Sequence, residues 1–227
     1  MTQASGRHTD HTYEEELEAV RQRLLLMAGR VEKMIGAAAR CLVDRDADGA
    51  RSTILGDHAV NQDEIDVDAL CIEVLARRQP MASDLRFITQ TLKMVADLER
   101  IADLAVNVCE RAIDLAPKPA PAPYVDIPRM ADVVQGMVHD AIDAFVERDE
   151  AKANRVRAMD DEVDDLYRRV FTQILELMAG DKVDIHDGIH IQSVAKYLER
   201  MGDHATNLAE EVLFMIRGRD VRHEGKL

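Results

Sequence analysis

The sequence predicts an all-α protein made of two tandem, pseudo-symmetric three-helix bundles, with six helices in all. Aliphatic residues recur at intervals of three and four along most of the chain, which is the spacing of amphipathic helices. Aromatic residues make up only 4% of the 227 residues and tryptophan is absent, whereas β-sheets favour aromatic and β-branched side chains. The pattern L-E-R-x-x-D-x-x-x-N occurs at residues 98–107 and again at residues 198–207. The second half of the chain therefore repeats the first.

The first bundle is predicted over residues 12–116. Thr12 followed by Glu15 resembles a capping box, in which two side chains satisfy the free amides at a helix start. We therefore expect the first helix to begin at Thr12 and the residues before it to be frayed. A second boundary lies at Gln79-Pro80, because the residue before a proline avoids the α conformation. The expected helices are about residues 12–43, a second helix that ends near Arg78, and about residues 82–115.

A proline-rich linker is predicted at residues 117–128, which contain five of the six prolines in the chain. Proline has a fixed φ angle and no N–H, so such a segment is extended and semi-rigid. The second bundle is expected over residues 129–217, and glycines at 180 and 218 are plausible helix ends. Its helices are predicted at about residues 130–146, 150–178 and 184–216.

The charge of the chain limits its partners. With 29 basic and 43 acidic residues the formal net charge is −14, which repels nucleic acid and anionic lipid and favours metal cations or basic protein surfaces. No nucleic-acid partner is expected. The sequence contains no run of about 18 apolar residues, so direct membrane insertion is not expected. No signal sequence is evident. Cys41, Cys71 and Cys109 form no C-x-x-C pair and are expected in the core of a cytoplasmic protein.

Oxygen-bearing side chains are paired on the second and third helices of each half. A spacing of four residues places two acids on one helix face, where like charges repel. An antiparallel neighbouring helix can bring a second such pair opposite the first, and four oxygen ligands suit a hard cation. The predicted metal ligands are Asp57, Asn61, Glu99 and Asp103 in the first half and Asp160, Asp164, Glu199 and Asp203 in the second.

These side chains allow other interpretations. The acidic faces could be solvated, with Arg100 and Arg200 paired to acids three residues away, but duplication of the whole pattern favours metal. A di-iron oxidase would need Glu-x-x-His, which the sequence lacks. His186 and His190 could bind zinc, yet no acidic or cysteine partner is clearly arranged around them, so a partly exposed pair is expected. His204 is expected to pack or to form a hydrogen bond.

Three segments resemble the PhoU family, the accessory regulators of bacterial phosphate-specific transport. They are RQPMASDLR at residues 78–86, LERIAD at residues 98–103 and KYLERMGDHATN at residues 196–207. The resemblance implies tandem three-helix bundles with iron, zinc or magnesium-type ions at E(D)-x-x-x-D pairs on the second and third helices of each half. Asn61 departs from that pattern. Because an amide oxygen is a weaker ligand than a carboxylate, the first site is expected to bind metal less tightly or in smaller number.

The resemblance also implies a regulatory role rather than a catalytic one. It implies that the chain conveys the state of the phosphate ABC transporter to a membrane sensor histidine kinase and damps the phosphate-starvation response. We therefore expect a cytoplasmic adaptor, a homodimer and a negative regulator, with no catalytic residues. Two alternatives stay open: a metal-independent acidic scaffold or adaptor for another membrane transporter, and a metalloenzyme that acts on phosphorylated substrates.

Overall fold

The computed structural model describes residues 4–118 and 126–221, and these residues form six α-helices and no strand. The all-α prediction is confirmed. The helices are α1 (Ala4–Asp44), α2 (Ala47–Arg78), α3 (Ala82–Leu115), α4 (Asp126–Glu147), α5 (Glu150–Ala179) and α6 (Ile185–Arg217). Within the described part of the chain, none of these helices is both long and apolar enough to cross a membrane.

Two helix starts differ from the prediction. Helix α1 begins at Ala4 instead of Thr12, because the preceding residues contain no proline and a helix can continue over polar residues. Helix α4 begins at Asp126, so the predicted linker does not extend to residue 128. Pro128 lies in the first turn of α4, where a backbone N–H has no partner within the helix and its absence costs little. The rest of the predicted linker, residues 119–125, lies outside the described residues.

The internal repeat extends to the turns between helices. Asp46 and Asp149 occupy corresponding positions in the two halves, and each accepts hydrogen bonds from backbone N–H groups in the first turn of the next helix. The residue before each cap has a left-handed backbone, with φ of 59° at Arg45 and 55° at Arg148. These matching turns hold α1 against α2 and α4 against α5 in the same way.

The two bundles pack side by side through their inner helices. Helix α3 of the first bundle packs along α6 of the second, and α1 contacts α4. The rings of Phe87 and Phe145 stack across this boundary with centroids 5.3 Å apart, and Arg86 Nε donates to the Met215 carbonyl at 3.1 Å. In the described residues, α2 contacts only α1 and α3, and α5 contacts only α4 and α6. Helices α2 and α5 are therefore the outer helices of the two bundles. Each has a face open to solvent and carries part of a predicted metal site.

A buried ion pair joins α1 to α2. Asp63 is 2% exposed, and its carboxylate lies 2.8 Å from Arg30 Nε and 3.4 Å from Arg23 Nε. Asp66, one turn further along α2, also contacts Arg23. Because a buried carboxylate is stable only when it is paired, these arginines fix how α2 lies on α1. This contact positions the helix that carries Asp57 and Asn61.

Candidate metal centre

The α2 side of the first predicted site has unsatisfied buried oxygens. Asn61 Nδ2 donates to Asp57 Oδ2 at 2.8 Å. The second carboxylate oxygen of Asp57, Oδ1, and the amide oxygen of Asn61 are both buried and have no hydrogen-bond partner. Such atoms are costly to bury unless something pairs with them. A cation between α2 and α3 would satisfy both, so these residues fit a metal ligand set.

The α3 side of this site faces the same region. Burial raises the pKa of Asp57, and the charge of Asp103 raises it further, although the hydrogen bond from Asn61 acts in the opposite direction. Burial also raises the pKa of Glu99, with additional contributions from Asp103 and Glu64. Acids on one helix therefore raise the pKa of acids on the other. Arg100 lies at the edge, 3.3 Å from Asp103.

Two further acids of α2 belong to this face and were missed by the sequence argument. Glu64 and Asp68 have pKa values raised first by burial, and the charges of Asp68 and Asp103 add to the effect on Glu64. They lie 7 and 11 residues after Asp57, which places them on the same helix face. A search extended beyond the i, i+4 pair would have found them.

The second predicted site gathers its four carboxylates between α5 and α6. Burial raises the pKa of Asp160, followed by the charges of Asp203 and Asp164. Burial also raises the pKa of Asp203, with further contributions from Glu199 and Asp164. Thr206 Oγ1 donates to Asp160 Oδ1 at 3.3 Å. Side chains from both helices thus contribute to one negatively charged region.

A lysine distinguishes the second site from the first. Lys196 Nζ lies 2.6 Å from the Glu199 carboxylate and 5.4 Å from the centre of the Tyr167 ring. By the repeat, the corresponding residues of the first half are Ala96 and Glu64. The first site therefore has extra carboxylates and no corresponding lysine. Arg100 pairs with its Glu99 and Asp103, whereas the second site holds the Lys196 ammonium against Glu199.

Neither acidic region holds three charged ligand groups at the spacing of a single ion. Among the described residues, one group has three carboxylate, imidazole or thiolate ligand atoms within 4.8 Å of one another. It consists of Asp184, His186 and Asp187. The paired acids are close enough to repel one another but still need side-chain rotation, or several ions, to complete a coordination shell. Acidic partners also surround His186, contrary to the expectation from sequence.

Two other expectations concern side chains outside the acidic regions. His204 Nδ1 lies 2.7 Å from Asp97 Oδ1, so it is a hydrogen-bonding residue that joins α6 to α3, as expected. Cys41, Cys71 and Cys109 are free and buried, which agrees with their predicted place in the core.

The raised pKa values predict how metal-free stability depends on pH. A carboxyl whose pKa is raised by folding stabilises the folded state below its unfolded pKa, and this contribution is lost as pH rises through the folded pKa. The contribution of Asp160 and Asp203 to stability should therefore be larger at about pH 4, near the ordinary pKa of an aspartate, than at about pH 7.5. His190 opposes this trend, because burial lowers its pKa.

Thermal unfolding in EDTA of the wild type and of Asp160→Asn isolates the carboxylate contribution. The variant should show a smaller gain in melting temperature on acidification. Acids whose pKa is lowered by folding, such as Asp184 with its hydrogen bond from Lys118, are present in both proteins, so their contribution cancels in the comparison. Identical pH profiles for the two proteins would contradict the prediction.

Comparisons with known proteins give a consistent result. The sequence model of the PhoU domain matches residues 24–112 and 127–212. The chain is 41% identical over 219 residues to the phosphate-specific transport system accessory protein PhoU homolog of Pseudomonas aeruginosa, covering 96% of this chain and 90% of that one. It is 32% identical over 220 residues to the protein PhoU of Escherichia coli, covering 97% and 91%.

Solved structures agree with the sequence comparisons. The crystal structure of PhoU from Pseudomonas aeruginosa superposes with a TM-score of 0.87 at 40% identity, covering 91% of this chain and all (100%) of that one. The phosphate transport system regulatory protein PhoU from Streptococcus pneumoniae superposes with a TM-score of 0.85 at 26% identity, covering 92% and 99%.

Proposed function

Because the chain belongs to the PhoU family, we propose that it regulates phosphate uptake and acts as a negative regulator of the phosphate-starvation response. In this role it links the phosphate ABC transporter to a sensor histidine kinase. Relatives that match nearly the whole chain are named accessory or regulatory proteins of phosphate transport. That near full-length match in both halves is the observation that carries the proposal. No catalytic role is part of it.

The proposed metal ions are divalent or iron-type cations held by the paired acids of α2–α3 and α5–α6. The unsatisfied oxygens of Asp57 and Asn61 support the first site, and the mutual repulsion of Asp160 and Asp203 supports the second. A bound cation would offset this repulsion and tie each outer helix to its inner neighbour. Metal occupancy would then set the stability of each pair, since a ligand that binds only the folded state stabilises it.

The charge difference between the sites favours tighter metal binding in the first half, opposite to the order expected from Asn61 alone. Lys196→Met is predicted to increase the metal affinity of the second site by roughly tenfold, equivalent to about 1.4 kcal/mol, because it removes a cation that holds Glu199. Calorimetric titration of Mn²⁺ into the metal-free chain measures this. Lys33→Met, which removes an exposed lysine of α1, is the control. If Lys196→Met and Lys33→Met bind Mn²⁺ with equal affinity, the Lys196 ammonium does not compete with the metal for Glu199.

The proposed partners follow from the transport role. The chain would act on the cytoplasmic side of the membrane as a homodimer that contacts the transporter and the kinase. The alternative of a metal-independent acidic scaffold predicts the same partners without any need for metal. Chelator treatment separates the two, because only the metal-bearing adaptor should lose stability and partner binding together.

A genetic experiment tests the proposed function. In a bacterial host that lacks its own PhoU protein, a phosphate-starvation reporter is expected to be active in high phosphate and to fall silent when this chain is expressed. Tagged chain purified from the same cells should carry the transporter and the kinase with it. A reporter that stays active although folded chain accumulates would refute the proposal.

A further inference from the structure

A cluster of metal-ligating side chains lies at the start of α6, outside the acidic helix pairs. Ligand atoms of Asp184, His186 and Asp187 lie within 4.8 Å of one another. His190 follows one turn later, and its ring lies beside that of His186 with centroids 4.2 Å apart and the ring planes tilted by 32°. Two imidazoles and two carboxylates within residues 184–190 form a donor set typical of zinc-class cations. The all-oxygen pairs of the two halves have no such nitrogen donors.

A lysine ammonium lies against both carboxylates of this cluster. Lys118 Nζ is 2.8 Å from Asp184 Oδ2 and 2.9 Å from Asp187 Oδ1. Asp187 is buried, with only 11% of its side chain exposed, whereas the side chain of His186 is 69% exposed. The geometry therefore combines a buried acid that needs a positive partner with an imidazole open to solvent. A divalent cation could take the position of the ammonium.

The second imidazole has an unsatisfied nitrogen. His190 Nδ1 is buried and has no hydrogen-bond partner; the nearest acid, Asp114 of α3, is 3.5 Å away. Only 13% of the His190 side chain is exposed.

We propose that Asp184, His186, Asp187 and His190 bind a zinc-class divalent cation that displaces the ammonium of Lys118. Lys118 follows the end of α3 by three residues, and its ion pairs connect that end of α3 to the start of α6. Metal binding breaks these ion pairs. The site therefore couples the concentration of a zinc-class ion to the contact between Lys118 and α6.

Cobalt(II) is the probe, because its visible absorption distinguishes nitrogen ligands from oxygen ligands. The full-length chain is titrated with Co²⁺, and Zn²⁺ is then added in competition. We expect a nitrogen-ligand spectrum in the wild type, its loss in His186→Ala/His190→Ala, and its retention in the control His11→Ala/His139→Ala. The control also removes two imidazoles, both mostly exposed, with 75% and 59% of the side chain accessible.

Lys118→Met tests the displacement step. It should bind Co²⁺ more tightly by roughly tenfold, because no ammonium competes with the cation. An unchanged Co²⁺ spectrum in His186→Ala/His190→Ala overturns the site. An unchanged Co²⁺ affinity in Lys118→Met overturns the proposal that the metal displaces the ammonium. If the double variant fails to fold by circular dichroism, His186→Ala alone decides the question, since its exposed ring can be removed without opening the core. Retention of the full spectrum in that variant overturns the proposal.

Discussion

The double variant Glu199→Ala/Asp203→Ala is expected to lose the metal of the second half and, with it, the metal-dependent part of the chain's stability. At a free metal concentration one hundred times the dissociation constant, a bound ion stabilises the folded state by about 2.7 kcal/mol. Chemical denaturation of wild type and variant at fixed metal concentration should show a loss of about this size. Elemental analysis should show a parallel fall in bound metal.

The same variant should behave differently in EDTA. The charge of Glu199 raises the pKa of Asp203 after burial, and Asp203 in turn raises the pKa of Asp160. Removing both α6 acids relieves this repulsion, so the metal-free variant should be at least as stable as the metal-free wild type. A crossing of the two stability curves between metal and EDTA is a signature that simple damage to packing cannot produce.

Asp132→Ala/Glu176→Ala is the matched control for this experiment. It removes two negative charges from exposed positions in the same half of the chain and lies outside the α5–α6 acids. We expect its metal content and its response to EDTA to match the wild type. If the control and the α6 variant lose equal amounts of metal, binding depends on net charge and the second site does not exist.

The helices were predictable because each buries one apolar stripe, and that stripe leaves a periodic trace in the sequence. The ends of the helices were harder to predict, because a residue that can cap a helix can also lie inside a helix that continues past it. Thr12 matched a capping pattern, yet α1 begins before it. Pro128 was assigned to the linker although the first turn of a helix accepts proline without losing a hydrogen bond.

The candidate sites were only partly predictable, because charges meet across elements that are far apart in sequence. The acids of the repeated pattern could be found from their spacing alone. Lys196 and Glu199 are three residues apart on α6, a spacing at which side chains on one helix can pair. The contact of Lys196 with the Tyr167 ring of α5 required the structure. Lys118 reaches Asp184 across 66 residues, a pairing for which the sequence offers no periodic signal.

The other large effect is expected at the buried acid of α2. Asp63→Asn should destabilise the chain by about 2–3 kcal/mol, near the lower end for breaking a buried ion pair. Substitution leaves Arg30 and Arg23 without their shared charge, but their side chains are 43% and 35% exposed and can turn partly to water. Urea denaturation in EDTA measures the change without any contribution from metal.

Asp66→Asn provides the comparison, since Asp66 contacts the same Arg23 but has 31% of its side chain exposed. An exposed pair is worth at most about 1 kcal/mol, so this variant should unfold close to the wild-type midpoint. The pair Asp63→Leu/Arg30→Met should recover part of the lost stability, because replacing both partners by apolar groups removes the unpaired charge. If Asp63→Asn and Asp66→Asn have equal midpoints, the α1–α2 ion pair does not hold these helices together.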